Sequence, residues 1–565
     1  MSVVRIYSSP RFWWTAATQK VASKFALAAV LCFLITMTIG YFLPIYTDEI
    51  TYKIIQARYF IDGFVNITLL PQCGPSFTAT VPFFMIPARM MDAWLYEDLS
   101  NPMKLRVIGI GNVLIWCVAL LALLPRCMAT QLDRKFLIAL IVCFLGIGAL
   151  PYVVMYNRPE SVLLWCFSLA IIAPLYFQNA RSRGAQYAFS AFFVFISAEV
   201  VAVHPKSLLF MPLLMTSAFF LIKPYKLKAI ICGCMLYFAG AGYSYWISRT
   251  ICPNDAEYEQ ISRMQLIPLS NLLTDPIHTV LAYLSNAVGS AQYFWHLRLG
   301  NVYGHVGWLP PNDAPDWLLS IVNVAIFTLF KALVLALVVA VISSLIAALR
   351  RKGEDQLSVR RFAVTTACLV SLAALGTTQG VKNFYEAGLV IPLIGLLLIL
   401  NARFAGSVQQ IMWKGFAGAV VLVSMVSQFT LWVSFVPVAR SAPAGYQGED
   451  QWAVSFSGYE TLKPVIVRAA SACNIAPKDT LKHLVIDDLT YPVFQQSFQP
   501  FHITYLSKVG GPDWKAHASG KIFELLKTYR SDGVIVGCQS LPADMRRRAT
   551  QSGEFCCISG NGIER

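Results

Sequence analysis

Long apolar stretches alternate with short polar turns along most of this chain. A helix needs about 20 apolar residues to cross the hydrocarbon core of a bilayer. The pattern therefore predicts a mostly α, polytopic membrane bundle of about eleven transmembrane helices. The eighth stretch is too long for a simple span, which indicates a tilted helix or a span joined to an interfacial helix. The eleven stretches are residues 25–43, 106–124, 136–154, 161–178, 187–203, 207–222, 229–248, 318–348, 362–379, 384–401 and 415–438.

The polar segments divide the chain into three parts. Residues 1–24 form a basic N-terminal tail, and residues 25–439 form the membrane domain with two long loops at 44–105 and 249–317. The first apolar stretch is longer than that of a signal peptide and is expected to remain as an uncleaved helix. Residues 440–565 are predicted to be a small α/β domain. Its apolar runs at 481–486 and 533–538 are typical of buried parallel strands, and 521–529 and 544–550 are predicted helices.

The composition indicates that lipid surrounds most of the chain, and the distribution of charge predicts its orientation in the membrane. Only 13% of the residues are charged and 56% are hydrophobic, whereas soluble domains carry roughly 25% charged residues. Nineteen Lys and Arg fall in the N-terminal tail and alternate short loops, against three in the short turns between them. The positive-inside rule then places the N-terminus inside and, with an odd number of spans, residues 440–565 outside. We expect an integral, multi-pass protein of a bacterial inner membrane, and no nucleic-acid partner.

The fourteen cysteines divide in the same way. Eight lie in or beside apolar stretches, where a thiol behaves as a small hydrophobic group. The other six are Cys73, Cys252, Cys473, Cys538, Cys556 and Cys557, in segments predicted to be outside. Disulfides can form there, but the spacing alone does not give their pairing.

Charged residues gather at the predicted outer ends of the helices. Any one of them can be explained as a solvated turn charge, but ionisable groups at membrane depth are functional candidates as a set. A carboxylate there can accept a proton from an acceptor group, and Arg or Lys can bind a lipid phosphate. This combination predicts transfer of a group from a lipid phosphate to an outer acceptor. The set comprises Asp48, Glu49, Arg58, Arg106, Arg158, Glu160, His204, Lys206, Lys382 and Tyr385.

The second long loop contains a Gly- and aromatic-rich segment at 304–311. His305 and Trp308 could bond or stack on a sugar. The alternative is a turn that Trp308 anchors at the membrane interface. In the tail, Asp487 and Asp488 follow a predicted strand, and a strand-end turn is favoured there over a metal site.

The outer-end motifs resemble the GT-C superfamily of membrane glycosyltransferases. The matching motifs are the Asp48–Glu49 pair after the first helix, the turn at 158–160, the Lys206 turn and Lys382-x-x-Tyr385. Within it, the chain is most similar to the protein O-mannosyltransferase-like and lipid A aminoarabinose-transferase-like families. It differs from them at two positions, with Phe64 after the loop glycine and His204-Pro205-Lys206 in place of a Thr-Lys-Gly turn.

The resemblance implies a polyprenyl-phosphate-linked sugar as donor and an acceptor that is a lipid, a polysaccharide or a protein. Asp48 would be the base or would orient the acceptor, Glu49 would be its partner or a metal ligand, and Glu160 would be the second carboxylate of the site. A divalent metal is neither required nor ruled out by these residues. The donor phosphate would meet Arg106, Arg158, Lys206, Lys382 and Tyr385, and the sugar or acceptor would meet Arg58, His204, His305 and Trp308.

Two other classes of function remain open from the sequence. A transporter or flippase of lipid-linked glycans would more often place its charges near the bilayer midplane, on broken helices. A polysaccharide polymerase or ligase is the other possibility. The apolar stretches hold few charges, mainly Glu199 and Lys331, which favours transfer at the surface over transport.

Overall fold

The computed structural model describes the membrane helices and most of the C-terminal sheet. The residues described are 16–43, 49, 66–68, 78–96, 103–129, 132, 134–178, 180, 182–248, 267, 271–300, 314–350, 356–402, 407–441, 446–448, 451–453, 456–477, 482–487, 490–494, 501–502, 526–527, 531–538 and 541–560. Predictions for the N-terminal 15 residues, the start of the first long loop and residues 301–313 therefore lie outside the described residues.

The predicted bundle of membrane helices is confirmed. Within the described residues, nine helices are long and apolar enough to cross a membrane, and the chain is an integral, multi-pass membrane protein. These are the helices Ala16–Tyr41, Met103–Leu123, Pro159–Tyr176, Arg183–Val203, Tyr225–Ser248, Asp316–Arg350, Gln356–Thr378, Phe384–Asn401 and Ser407–Ser441. The two remaining predicted spans are Arg134–Leu145 with Leu150–Met155, and the 3-10 turn Pro205–Phe210 with Met211–Leu221. Shorter helices between them are Ile86–Tyr96, Asn271–Thr274, Pro276–Gly289 and Gln292–Trp295.

The third predicted span is interrupted at a glycine. Gly148 has a φ of +57°, and a Cβ on it would come within 2.2 Å of the Leu297 carbonyl oxygen. The backbone N–H of Ala149 donates to that same carbonyl at 2.9 Å. Only glycine tolerates both the left-handed conformation and this approach. The break thus binds the second long loop into the helix bundle.

The eighth predicted span is one continuous helix of 35 residues, Asp316–Arg350. At 1.5 Å per residue it is about 52 Å long, which exceeds the roughly 30 Å hydrocarbon core. The helix is unbroken, and even at a tilt of about 40° its ends extend beyond the core.

One end of the bundle is rich in arginine that binds backbone carbonyls. Arg361 donates to the Cys127 carbonyl from Nε at 3.1 Å and from Nη2 at 3.0 Å. Arg360 donates to the Pro174 carbonyl at 3.2 Å, and the Arg126 guanidinium lies 5.0 Å from the Tyr176 ring centre. We call this end the basic end. Its arginines belong to the set that the sequence places inside.

The C-terminal domain contains a five-stranded mixed sheet. Its strands, in spatial order, are Phe501–His502, Leu484–Ile486, Gly533–Gly537, Phe555–Ser559 and Thr550–Ser552. The two predicted strands are confirmed, and they pair in parallel. The predicted helix at 544–550 is Ala543–Arg548, and of the predicted helix at 521–529 only residues 526–527 are described. The helix Phe456–Ser471 and the small hairpin of Tyr446–Gly448 with Gln451–Ala453 complete the described part.

Two disulfides join the elements of this domain. Cys473 pairs with Cys557, and Cys538 pairs with Cys556. The eight cysteines of the membrane helices are free thiols, as expected for small core residues. Asp487 accepts from the backbone N–H of Thr490 at 3.0 Å and of Gly537 at 2.7 Å, so it closes a strand-end turn.

The C-terminal domain packs against the beginning of a membrane helix. Met103 and Leu105, at the start of Met103–Leu123, are buried in the same hydrophobic cluster as Leu462, Ile466 and Leu484 of the domain. The same helix reaches Arg126, at the basic end, with its other end. The domain therefore lies at the end of the bundle opposite the basic arginines.

This polarity predicts the result of a topology experiment. A reporter that is active only in the cytoplasm should be silent when fused after Arg565 and active when fused after Arg351. The reason is that the basic end stays inside under the positive-inside rule, and the two disulfides require an oxidising compartment. Activity measured in intact cells, normalised to the amount of fusion protein, gives the answer. The reverse pattern would place the C-terminal domain in the cytoplasm.

Candidate functional site

A buried lysine joins two glutamates from two different helices. Lys206 Nζ donates to Glu160 Oε1 at 2.6 Å and to Glu386 Oε1 at 2.7 Å. All three side chains are at least 95% buried. Arg158 adds a second cation, with Nε 3.5 Å from Glu160 Oε2. We call Arg158, Glu160, Lys206 and Glu386 the ionic cluster.

Helix starts hold both carboxylates in place. Glu160 is in the first turn of Pro159–Tyr176, where Pro159 sits at the first helical position and Arg158 is the N-cap. Glu386 closes a capping box with Asn383 at the start of Phe384–Asn401, since its Oε2 accepts from the Asn383 N–H at 2.7 Å. Helix N-termini favour negative charge, so both carboxylates are stabilised before any ligand arrives.

The Arg158 guanidinium rests on an aromatic face. Its carbon lies 3.8 Å from the centre of the Tyr385 ring, and Lys206 Nζ lies 5.4 Å from the same centre. Cations over a tyrosine face are attracted by the ring quadrupole, most strongly where water is excluded. Tyr385 thus holds the orientation of Arg158 at the rim of the ionic cluster.

A second layer of polar groups braces Glu386 from the side of the second long loop. The Gln379 amide donates to Glu386 Oε1, and its Oε1 accepts from the Tyr293 hydroxyl at 2.7 Å. The Lys382 ammonium donates to the Gln379 carbonyl, and the His296 ring donates from Nε2 to the Lys382 carbonyl at 2.7 Å. Through these bonds the helix Gln292–Trp295 helps to fix the position of Glu386.

Burial changes the ionisation of two groups in this layer. It lowers the pKa of the Lys382 ammonium, and the nearby Glu386 carboxylate only partly opposes this effect. Burial also lowers the pKa of the His296 imidazole, which favours the neutral ring. An anion placed beside Lys382 would stabilise its charged form.

Glu49 and Arg106 form a separate ion pair next to the ionic cluster. Arg106 Nη2 donates to Glu49 Oε1 at 2.8 Å, and Nη1 donates to the Gly40 carbonyl at 2.7 Å. The guanidinium carbon lies 5.2 and 5.4 Å from the ring centres of Tyr152 and Tyr156, and both members of the pair are fully buried. This pair links the first helix, the second helix and the third span.

An apolar cleft reaches the ionic cluster from the bundle. It holds about 440 Å³ of space. At one end it is bounded by Arg158, Glu160 and Tyr385. The remaining wall is almost entirely hydrophobic and includes Val113, Trp116, Leu145, Val154, Leu164 and Trp165. The cleft therefore presents an apolar channel with a cation at one end.

The structure brings together part of the predicted site. Arg158, Glu160, Lys206 and Tyr385 are in direct contact, and Lys382 lies in the adjoining layer. Arg106 and Glu49 are paired with each other beside the cluster, and His204 Nδ1 accepts from the Lys206 backbone N–H at 3.2 Å. Asp48, Arg58, His305 and Trp308 lie outside the described residues, and their roles stay predictions.

Glu386 is a site residue that the sequence motifs did not single out. It stands in the turn 382–386, and Asn383 with Glu386 three residues later spells a capping box. That local signal explains one of its two oxygens. The other binds Lys206, which is 180 positions away in the sequence. Gln379, Tyr293 and His296 were likewise not predicted.

Metal ligands do not converge in the described part of the chain. Among those residues, no three His, Cys, Asp or Glu side chains form a group that could hold a metal ion. The Lys206 ammonium already lies between the carboxylates of Glu160 and Glu386. Their charge is therefore compensated by the protein itself.

Comparisons with known proteins find solved structures that are similar to this chain, among them the two that follow. No protein-family model matches the chain, and no curated protein matches it. ArnT from Cupriavidus metallidurans, bound to undecaprenyl phosphate, aligns with a TM-score of 0.42 and 11% identity over 97% of this chain and 98% of that chain. The second is the archaeal oligosaccharyltransferase AglB from Archaeoglobus fulgidus, in complex with an inhibitory peptide and a dolichol-phosphate. It aligns with a TM-score of 0.40 and 10% identity over 94% of this chain and 74% of that chain.

Proposed function

We propose that this protein is a membrane glycosyltransferase that transfers a sugar from a polyprenyl-phosphate-linked donor to an acceptor on the outer side of the membrane. The observation that carries the proposal is the position of Arg158. Its guanidinium lies where the apolar cleft meets the ionic cluster. A donor of this class has the same division, with a long hydrocarbon chain joined to a single phosphate.

Charge supports a phosphate at this position. The ionic cluster holds two cations and two carboxylates, so it is neutral as a unit. A polyprenyl-linked sugar phosphate is a diester with one negative charge. Lys382 lies in the layer beside Glu386, and a bound phosphate would stabilise its charged form against the lowering of its pKa by burial, which supplies the balancing positive charge. A neutral cluster with an adjacent buried lysine therefore suits a monoanionic ligand better than a dianion.

The reaction proposed is a single displacement with inversion at the sugar C1. The acceptor oxygen or nitrogen forms a bond to C1 while the bond from C1 to the phosphate oxygen breaks. The acceptor proton passes to the Asp48 carboxylate, and the electron pair of the broken bond stays on the phosphate oxygen. Arg158 stabilises the charge that develops on the leaving phosphate, and a guanidinium can contact two phosphate oxygens at once.

Product formation by purified protein tests this function. The protein in detergent should transfer sugar from one member of a panel of polyprenyl-phosphate sugars to an extract of envelope lipids, polysaccharides or proteins. One sugar per acceptor marks a transferase, whereas a ladder of products marks a polymerase. If no sugar is transferred to any extract, yet lipid-linked glycan crosses a liposome bilayer that contains the protein, the chain is a transporter and the proposal is wrong.

The same assay gives a prediction for Arg158. Arg158→Ala should raise the donor concentration needed for half-maximal rate at least tenfold, because the diester would lose its bidentate partner. Arg158→Lys should recover only part of the loss, since the charge returns without the planar fork. The matched control is Arg298→Ala, a half-buried arginine stacked on Trp295 outside the ionic cluster. Equal effects of Arg158→Ala and Arg298→Ala on donor affinity would show that Arg158 does not bind the donor phosphate.

A further inference from the structure

A second apolar cleft lies at the opposite end of the bundle. It holds about 410 Å³ of space between the helices Arg134–Leu145, Phe384–Asn401 and Ser407–Ser441. None of the residues that line it belongs to the ionic cluster or its second layer. Its lining residues are Leu132, Phe136, Leu140, Phe144, Leu398, Ile399, Ala402, Trp413, Lys414, Phe416 and Ala417.

The length of the cleft matches one leaflet of a bilayer. Phe136, Leu140 and Phe144 follow each other at four-residue spacing and line one wall. Eight residues of helix span about 12 Å, and half of a roughly 30 Å hydrocarbon core is about 15 Å. Phe144 and Leu140 are buried, whereas Leu132 and Phe136 are partly exposed. The cleft is therefore more exposed at the helix ends, near Leu132 and Phe136, than at Leu140 and Phe144.

The mouth of the cleft is positively charged. Lys414 lines it and is exposed, and Arg134 and Lys135 are exposed at the start of the helix that forms one wall. In the sequence, one acidic residue, Asp133, directly precedes Arg134 and Lys135. Trp413 stands next to Lys414 in the lining, and tryptophan is enriched where membranes meet water. The cations make the mouth complementary to an anion.

We propose that this cleft is a binding site for an anionic phospholipid of the leaflet at the basic end. One acyl chain fills the channel from Leu132 to Phe144, and the headgroup phosphate lies against Lys414, with Arg134 and Lys135 nearby. A zwitterionic phospholipid would fill the channel equally well, but its headgroup would bring no net charge to this mouth. The site is independent of the proposed transferase reaction, since it lies at the other end of the helices.

Native mass spectrometry of the delipidated full-length protein tests the proposal. The probes are dioleoyl phosphatidylglycerol and dioleoyl phosphatidylcholine, titrated separately. Phosphatidylglycerol should bind more tightly, and Lys414→Gln should weaken it about fivefold while leaving phosphatidylcholine unchanged. Lys226→Gln is the matched control, because Lys226 is exposed at the start of Tyr225–Ser248 and does not line the cleft.

Two further measurements separate binding in the cleft from binding elsewhere. Ala417→Leu, which extends a side chain into the channel, should weaken the binding of both lipids. An unchanged melting temperature would show that this variant is correctly folded. Phosphatidylglycerol with brominated acyl chains should quench the tryptophan fluorescence of the protein. This quenching should be lost in the variant Trp413→Phe. Equal affinities for the two lipids, or an equal loss in Lys226→Gln and Lys414→Gln, would overturn the proposal.

Discussion

Lys206→Met should both destabilise the protein and abolish sugar transfer. The substitution leaves Glu160 and Glu386 buried without the ammonium that bridges them. Breaking a buried ion pair by removing one partner costs about 3–5 kcal/mol. We expect a lower melting temperature in detergent and a transfer rate reduced at least about 100-fold. The melting curve and the rate must be measured on the same preparation, because loss of fold would by itself stop turnover.

A neutral cluster separates the two effects. The combined variant Lys206→Met and Glu386→Gln removes one charge of each sign and leaves Glu160 paired with Arg158. Glutamine at 386 can still close the capping box with Asn383, since this motif accepts Glu or Gln. The melting temperature should return most of the way to that of the unmodified protein, while transfer stays absent. Full turnover by this variant would show that the charges only support the fold.

Asp48→Asn should reduce the rate of transfer by about 10² to 10⁴, the usual contribution of a general base. The amide keeps the size of the side chain but cannot accept the acceptor's proton. The melting temperature should stay unchanged if the role of Asp48 is chemical. The measurement is turnover at saturating donor, with donor binding determined separately to show that it is preserved.

The neighbouring residue provides the contrast. Glu49→Gln breaks the buried pair with Arg106, so it should lower the melting temperature. A structural role for position 49 and a catalytic role for position 48 thus give opposite patterns in the two measurements. If Asp48→Asn turns over at a normal rate, the base must be sought among the carboxylates at 49 and 160.

Most of the fold could be predicted because its signals are local. An apolar stretch long enough for the bilayer is visible within twenty residues, and so are the runs that became the parallel strands Leu484–Ile486 and Gly533–Gly537. The interruption of the third span was not visible. It depends on Gly148 meeting the Leu297 carbonyl, a contact between segments that are far apart in the sequence.

The candidate site could likewise be predicted where its signals are local, and could not where it depends on contacts between distant segments. Charges at helix ends mark Arg158, Glu160 and Lys206, and the structure brings these three together. The residues that brace them are uncharged or already explained by local structure. Gln379 and Tyr293 look like ordinary polar residues until packing places the amide between a carboxylate and a phenol. Such bracing depends on side-chain positions that no short pattern encodes.

The packing of the C-terminal domain on Met103 and Leu105 has a consequence for the order of biosynthesis. These two residues enter the membrane early, whereas their partners in the domain emerge several hundred residues later. At about 5–20 residues per second, the interval is on the order of tens of seconds. During that time the apolar start of the second helix lacks its partners Leu462, Ile466 and Leu484. Completion of the protein therefore ends with a docking step, in which these residues of the domain cover Met103 and Leu105.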